Sequence, residues 1–122
     1  MTEDTVRVLV VDDLEDAAAT LALMLTLDGY EERTAKDGAQ ALSVTSDFHP
    51  HCILFDIDMP GMDGFELSKQ LRLRYQDDIV LIAVTAQAVQ DPRVAGAFRV
   101  ADHYFSKPLD SAQLRRLLPP NR

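Results

Sequence analysis

The chain has 122 residues, of which 47% are hydrophobic, so we expect residues 1–122 to form one domain around a continuous core. Its formal net charge of -8 argues against direct contact with nucleic acid or an anionic membrane, because such surfaces need clustered Lys and Arg. No run of about 18 apolar residues is present and the first four residues are acidic rather than basic and apolar, so we predict a cytoplasmic protein without a membrane span.

The first half of the chain alternates apolar runs with amphipathic segments. The β-branched run Val6–Val11 predicts a strand buried on both faces. Apolar residues then recur at helical spacing up to Gly29, which predicts a helix that stops there. Next come a weaker strand, a short helix and a second buried strand, predicted at Tyr30–Ala35, Ala39–Asp47 and His51–Phe55.

The second half continues the same alternation after a turn at Pro60-Gly61. A third helix is predicted from the spacing of Leu67, Leu71 and Tyr75, and a strand from the apolar run Ile79–Val84. We predict a fourth helix opening at Pro92, a short strand at Tyr104-Phe105, and a last helix with Leu114, Leu117 and Leu118 on one side, stopped by Pro119-Pro120.

Two further features have simple structural interpretations. The lone Cys52 lies within an apolar run and is expected to be a small buried hydrophobe. The basic residues Lys69, Arg72 and Arg74 lie in a helical pattern among acids, which favours a solvated helix face over a surface for phosphate backbones.

Five rounds of strand followed by helix predict parallel strands joined by right-handed crossovers. Five units are too few for a closed eight-stranded barrel, so we expect an open, doubly wound α/β sheet with helices on both faces. In such sheets the functional site lies beyond the carboxyl ends of the strands.

Polar residues follow four of the five predicted strands, and the second strand offers no comparable group. They are Asp12 and Asp13 after the first strand, Asp56 after the third, Thr85 after the fourth and Lys107 after the fifth. Because the carboxyl ends of parallel strands share one edge of the sheet, we expect these side chains to meet in one pocket.

The chemistry of this set favours a phosphoryl group on a carboxylate. Three carboxylates repel one another unless they share a cation, and Mg²⁺ prefers such oxygen ligands. Lys107 adds a charge suited to phosphate and Thr85 a hydroxyl donor. Asp56 is the expected acceptor because it sits centrally, directly after a buried strand run, whereas the Asp12-Asp13 pair is better placed to hold the metal.

Four segments in the right order and spacing resemble the signature segments of the response-regulator receiver family: Val10–Asp13, Phe55–Gly64, Val84–Ala86 and Tyr104–Pro108. The resemblance implies a flavodoxin-like (βα)5 fold, a five-stranded parallel sheet of order 2-1-3-4-5. It implies that a sensor histidine kinase or histidine phosphotransfer protein phosphorylates Asp56. The chain would then catalyse only its own phosphorylation and dephosphorylation, and act on a downstream effector that the sequence does not identify.

The resemblance also implies roles for individual residues. Mg²⁺ would be held by Asp12, Asp13, Asp56 and the backbone carbonyl of Asp58. Thr85 and Tyr104 would form a switch, in which the hydroxyl moves toward the phosphoryl group and the aromatic ring turns inward.

Other interpretations stay open. Asp56-Ile57-Asp58 also resembles the nucleophile motif of haloacid-dehalogenase-like phosphatases, although Pro60 and the short chain oppose it. A degenerate receiver that only binds partners is a third possibility. Taken singly, Asp12-Asp13 fits a helix N-terminal acid pair, Thr85 a strand-end cap, Lys107 a surface lysine and Tyr104 a core aromatic.

Overall fold

The computed structural model describes residues 5–56, 64–85 and 101–106, together with positions 112, 116 and 118. Strands and helices alternate up to the fourth strand, and a short 3-10 helix at Gln76–Asp78 follows the third α-helix. The elements are β1 (Arg7–Val11), α1 (Glu15–Leu27), β2 (Glu31–Ala35), α2 (Gly38–Phe48), β3 (Cys52–Asp56), α3 (Gly64–Tyr75), β4 (Val80–Thr85) and β5 (His103–Ser106).

The five strands form one parallel sheet in the order β2-β1-β3-β4-β5, which confirms the predicted topology. β3 lies at the centre, and all five of its residues are buried. Strands of a parallel sheet that helices cover on both faces typically have such continuous apolar sequences.

Side chains of the sheet alternate between two separate cores, as the two-residue period of a strand requires. On one face, Leu9 and Ile53 pack with residues of α2 and α3 such as Ala41 and Leu71. On the opposite face lie Val8, Val10, Cys52 and Leu54, packed with Ala18 and Leu25 of α1 and with Leu118. Helices therefore cover both faces, as the doubly wound arrangement predicts.

Helix ends follow recognisable local chemistry. Asp37 is the N-cap of α2, where its carboxylate accepts a hydrogen bond from the Gln40 N–H at 2.7 Å. The Gln40 side chain in turn accepts from the Lys36 N–H at 2.7 Å. Gly29 follows α1 with a φ of 90°, a left-handed conformation that glycine adopts without steric cost, so the predicted stop is confirmed.

Two minor predictions can be compared with the structure. Cys52 is fully buried, and burial raises the pKa of its thiol, as expected for an inert core residue. Lys69 and Arg74 are exposed, but the prediction of a solvated face is wrong for Arg72. Its guanidinium forms an ion pair with Asp102 at 2.9 Å, and the side chain is only 21% exposed, because it reaches back over the start of β4.

Some predicted features lie outside the described residues. They are the helix opening at Pro92, the Pro60-Gly61 turn, most of the last helix, and the site residues Asp58 and Lys107. Among the helices that are described, none has both the length and the apolar character needed to cross a bilayer.

Candidate functional site

The first carboxylates of the site belong to the segment that joins β1 to α1. Asp12 is only 3% exposed, and its N–H extends the sheet ladder by donating to the Ala35 carbonyl at 3.0 Å. Its Oδ1 accepts from the Leu14 N–H at 3.0 Å, just before α1 begins. The carboxylate is thereby held against the helix start, while the neighbouring Asp13 is half-buried.

Asp56 is the last residue of β3, between β1 and β4, and is 8% exposed. A carboxylate oxygen from each of Asp12, Asp13 and Asp56 lies within 4.8 Å of the other two. Residues separated by more than forty positions in the chain therefore meet at the carboxyl edge of the sheet, as the strand-end rule predicts.

Three carboxylates this close together suit a divalent cation. Two like charges at 4 Å repel by about 4 kcal/mol at an effective dielectric constant of about 20, and two of these three side chains are buried away from water. The ligand atoms are all carboxylate oxygens, which are hard ligands that match Mg²⁺ better than zinc. The donor set therefore fits the predicted metal.

The other predicted site residues are placed by the backbone alone or lie outside the described residues. Thr85 ends β4, one residue beyond Val84, which lies beside Asp56 in the β3–β4 register. Tyr104 lies in β5 beside Ala83, and Ser106 beside Thr85. Thr85 thus belongs to the same edge as the acidic cluster, and Lys107 is the next residue in sequence after β5.

One neighbour of the cluster, Lys36, is not among the residues predicted from the sequence. A groove beside Asp12 lies between α1 and α2 and is lined by Glu15, Thr34, Lys36 and Gln40, among others. Lys36 directly follows β2, the strand for which the sequence predicts no comparable polar group. Applying the strand-end rule to all five strands would have found it, because a lysine beyond β2 shares the same edge.

Comparison with known families agrees with the fold. The family model of the response regulator receiver domain matches residues 8–118. Among curated relatives, the transcriptional regulatory protein PrrA of Mycobacterium tuberculosis is 42% identical over 108 residues, which are 88% of this chain. The response regulator MprA of Mycobacterium sp. strain KMS is 37% identical over 109 residues, or 89% of this chain. The chain spans about half the length of these relatives, 46% of PrrA and 47% of MprA.

Solved structures agree as well. The chemotaxis protein CheY4 of Vibrio cholerae matches with a TM-score of 0.83 and 28% identity, covering 93% of this chain and 99% of that protein. The receiver domain of the sensor histidine kinase PA1611 from Pseudomonas aeruginosa, solved with a magnesium ion in its active site cleft, has a TM-score of 0.82 and 27% identity, covering 92% of this chain and 93% of that one. The chain belongs to the family of response regulator receiver domains, the phosphoacceptor modules of two-component signalling.

Proposed function

We propose that Asp56 is the residue that accepts the phosphoryl group in this receiver domain. The main support is the meeting of Asp12, Asp13 and Asp56 within 4.8 Å at the edge of the sheet where α/β folds hold their ligands. Asp56 ends the central strand, with the acid pair after β1 on one side and the end of β4 on the other, and this position supports its role as the acceptor.

In the proposed reaction, a carboxylate oxygen of Asp56 attacks the phosphorus of a phosphohistidine on a partner protein. A P–O bond forms, the P–N bond breaks, and the imidazole leaves and takes up a proton. Hydrolysis of the resulting acyl phosphate by water restores the carboxylate and releases inorganic phosphate. Catalysis by the chain is therefore limited to its own phosphorylation and dephosphorylation, and relies on positioning and charge neutralisation.

We propose that Mg²⁺ binds at Asp12, Asp13 and Asp56, with the backbone carbonyl of Asp58 as a further ligand. The ion supplies positive charge that offsets repulsion between the carboxylates and the incoming phosphoryl oxygens. Lys107 would contribute a second positive charge suited to the phosphoryl group. The similarity to the PA1611 receiver domain, which was solved with magnesium, supports this assignment.

Thr85 and Tyr104 are the proposed switch. A phosphoryl group adds a charge of about -1.5 to -2 and three strong acceptors beside the end of β4. Reversing a two-state equilibrium from 1:99 to 99:1 takes about 5.5 kcal/mol. A few charge-assisted hydrogen bonds, to Thr85 and Lys107 among others, supply that amount at about 1.5–3 kcal/mol each.

At the level of the whole chain, we propose that residues 1–122 act as one receiver domain in the cytoplasm. Its partner would be a sensor histidine kinase or a histidine phosphotransfer protein. With a net charge of -8, the domain itself would not contact nucleic acid or membranes directly. Its output would pass to an effector through the surface that the switch changes.

The test is incubation with acetyl phosphate and Mg²⁺, followed by intact mass measurement of the wild type and of Asp56→Asn. We expect one labile phosphoryl adduct per chain on the wild type and none on the variant. Asp16→Asn, an exposed acid in the first turn of α1, is the matched control and should be labelled like the wild type.

Each other outcome identifies a competing function. Steady turnover of a generic phosphate ester would indicate the haloacid-dehalogenase-like phosphatase. No adduct on the wild type would indicate a degenerate receiver that only binds partners. An adduct that persists in Asp56→Asn would assign the acceptor to another residue.

A further inference from the structure

The entry into β5 is fixed to β4 by one residue, Asp102. Its N–H donates to the Leu81 carbonyl at 2.8 Å, and its side-chain Oδ2 accepts from the Leu81 N–H, also at 2.8 Å. Both backbone groups of Leu81 are therefore bonded to Asp102. The carboxylate takes the place that a carbonyl of a longer β5 would otherwise occupy.

Arg72 of α3 holds this carboxylate in position. One of its terminal nitrogens, Nη2, donates to Asp102 Oδ2 at 2.9 Å. The other, Nη1, donates to the carbonyls of Gln76 at 2.7 Å and Ile79 at 3.3 Å. The guanidinium thus bridges the connection between α3 and β4, where Gln76 has a left-handed φ of 52°, to the residue that precedes β5.

The ionised form of Asp102 is favoured in this setting. Partial burial acts to raise the pKa of Asp102, but the hydrogen bonds from Leu81 and Arg72 and the charges of Arg72 and His103 lower it below its usual value. The acceptor for Leu81 therefore stays charged at neutral pH, which strengthens the hydrogen bond.

The register of β5 needs such a constraint more than that of any central strand. β5 is four residues long and lies at an edge of the sheet, where β4 is its neighbour. A slip of one residue would move every β5 side chain by about 3.3 Å and turn it to the opposite face. In the observed register, Tyr104 lies beside Ala83 and Ser106 beside Thr85.

We propose that Asp102, oriented by Arg72, is a positioning residue that fixes the β4–β5 register and so sets where Tyr104 and the residue after β5, Lys107, stand relative to Thr85. The consequence for phosphorylation rests on the proposed function of Thr85, Tyr104 and Lys107. The register itself does not depend on that function.

The two partners contribute unequally. The Arg72–Asp102 pair is partly exposed, at 21% and 40%, and exposed ion pairs contribute little on their own. The hydrogen bond from Leu81 to a charged acceptor is the stronger interaction, so removing the carboxylate should have more effect than removing the guanidinium. Asp102→Asn keeps an oxygen acceptor for Leu81 and should largely preserve the register.

The experiment compares Asp102→Ala, Asp102→Asn and Arg72→Met with Arg74→Met, which changes an exposed arginine of the same helix. NMR would measure amide hydrogen exchange in every strand and the cross-strand nuclear Overhauser effects from Ile82–His103 to Thr85–Ser106. Phosphorylation of Asp56 by acetyl phosphate and the affinity for Mg²⁺ would be measured on the same samples.

For Asp102→Ala we expect the exchange of β5 amides to accelerate by about 10- to 100-fold, because one charge-assisted hydrogen bond is lost. The exchange of β1 and β3 amides should not change. The cross-strand effects should weaken, and phosphorylation should slow by about tenfold or more at unchanged Mg²⁺ affinity. Arg72→Met and Asp102→Asn should both show smaller changes in the same direction, and Arg74→Met should resemble the wild type.

Wild-type exchange and unaltered cross-strand effects in Asp102→Ala would overturn the proposal. If that variant does not fold, Arg72→Met decides, and wild-type exchange of its β5 amides would overturn the orienting role of the arginine. A changed register with normal phosphorylation would contradict only the link to the site. Absence of phosphorylation in the wild type would contradict the proposed function and leave the register result valid.

Discussion

At the scale of single residues, repulsion among the three carboxylates destabilises the metal-free fold, and a bound metal ion would offset that repulsion. Asp13→Asn deletes one of three charges that lie within 4.8 Å of one another, so we expect the metal-free protein to become more stable by about 1 kcal/mol. The same change should weaken Mg²⁺ binding by about tenfold or more, because one anionic ligand is lost. Urea unfolding with and without Mg²⁺ measures both effects.

Asp16→Asn again serves as the control, since it removes an exposed acid from the start of α1 without touching the cluster. Mg²⁺ at about 100 times its dissociation constant should stabilise the wild type and this control by about 2.7 kcal/mol. If Asp13→Asn retained the full stabilisation by Mg²⁺, the cluster would not be the metal site.

His51 directly precedes β3 and lies at the amino ends of the strands, opposite to the acidic cluster. Its Nδ1 accepts from the Arg7 N–H at 2.9 Å, which requires that nitrogen to be unprotonated, and its backbone bonds to both β1 and β4. Desolvation by burial and, secondarily, the charge of Arg7 lower the pKa of His51 below the usual 6.5. The unfolded chain therefore binds this proton more readily than the folded protein does.

The sign of the pH effect follows from that difference. The stabilisation from neutral His51 should be fully present above a pH of about 6.5 and decrease as the pH falls through that value toward the lower folded-state pKa. We predict that His51→Asn, which keeps an acceptor atom but does not titrate in this range, shows a weaker loss of stability between about pH 7.5 and about pH 5. Chemical denaturation across the range measures it, and identical profiles for the two proteins would refute the role of His51.

The residues of the site divide into those that the sequence could place and those that it could not. Asp12, Asp13 and Asp56 were predictable because each ends or follows a strongly apolar strand, and parallel strands bring such ends together. Lys36 was not predictable in the same way because β2 is a charged edge strand, and no apolar run marks where it ends. The hydrogen bond from Leu14 to Asp12 depends on the exact start of α1, which hydrophobic spacing does not define.

At the scale of elements, α2 depends on a cap at its start. Asp37→Ala removes the acceptor for the Gln40 N–H, so we expect a loss of about 1 kcal/mol in the free energy of unfolding. Asp37→Ser supplies another good N-cap oxygen and should retain most of the stability. Thermal or urea unfolding of both variants measures the difference, and equal stability of the Ala and Ser variants would contradict the capping role.

Helix α3 offers a matched test of its buried face. Leu71 is 1% exposed and packs against the sheet, whereas Leu73, two positions later, is 80% exposed. Leu71→Ala should therefore cost about 2–5 kcal/mol of unfolding free energy, while Leu73→Ala should change it by less than about 0.5 kcal/mol. A similar effect of the two substitutions, measured by urea unfolding, would show that the packing of α3 differs from that described.

The existence and order of the elements were predictable, but their ends were not. Asp56 and Thr85 were predicted to follow their strands, and each is instead the last strand residue. The apolar pattern stops one residue early in both cases, because a polar side chain at the functional edge ends the hydrophobic run before the backbone ladder ends. The network of Arg72 and Asp102 was likewise not predictable, since it joins residues 30 positions apart through hydrogen bonds and not through hydrophobic spacing.

At the scale of the whole molecule, the faces of the sheet and the ends of its strands have different roles. Its two apolar faces supply stability through α1 on one side and α2 and α3 on the other. Its carboxyl edge collects the acidic cluster, and its opposite edge has structural contacts such as those of His51 and Asp102. Among the described residues, the close group of carboxylates lies at the edge where a cation and a phosphoryl group are proposed to bind.

The most direct test of this account is to identify which residue is phosphorylated. The wild-type chain would be phosphorylated with acetyl phosphate in the presence of Mg²⁺, and the acyl phosphate would be reduced with borohydride. Peptide mass spectrometry would then locate the reduced residue. We predict modification of Asp56 alone, and modification of Asp12, Asp13 or any residue away from the cluster would contradict the account.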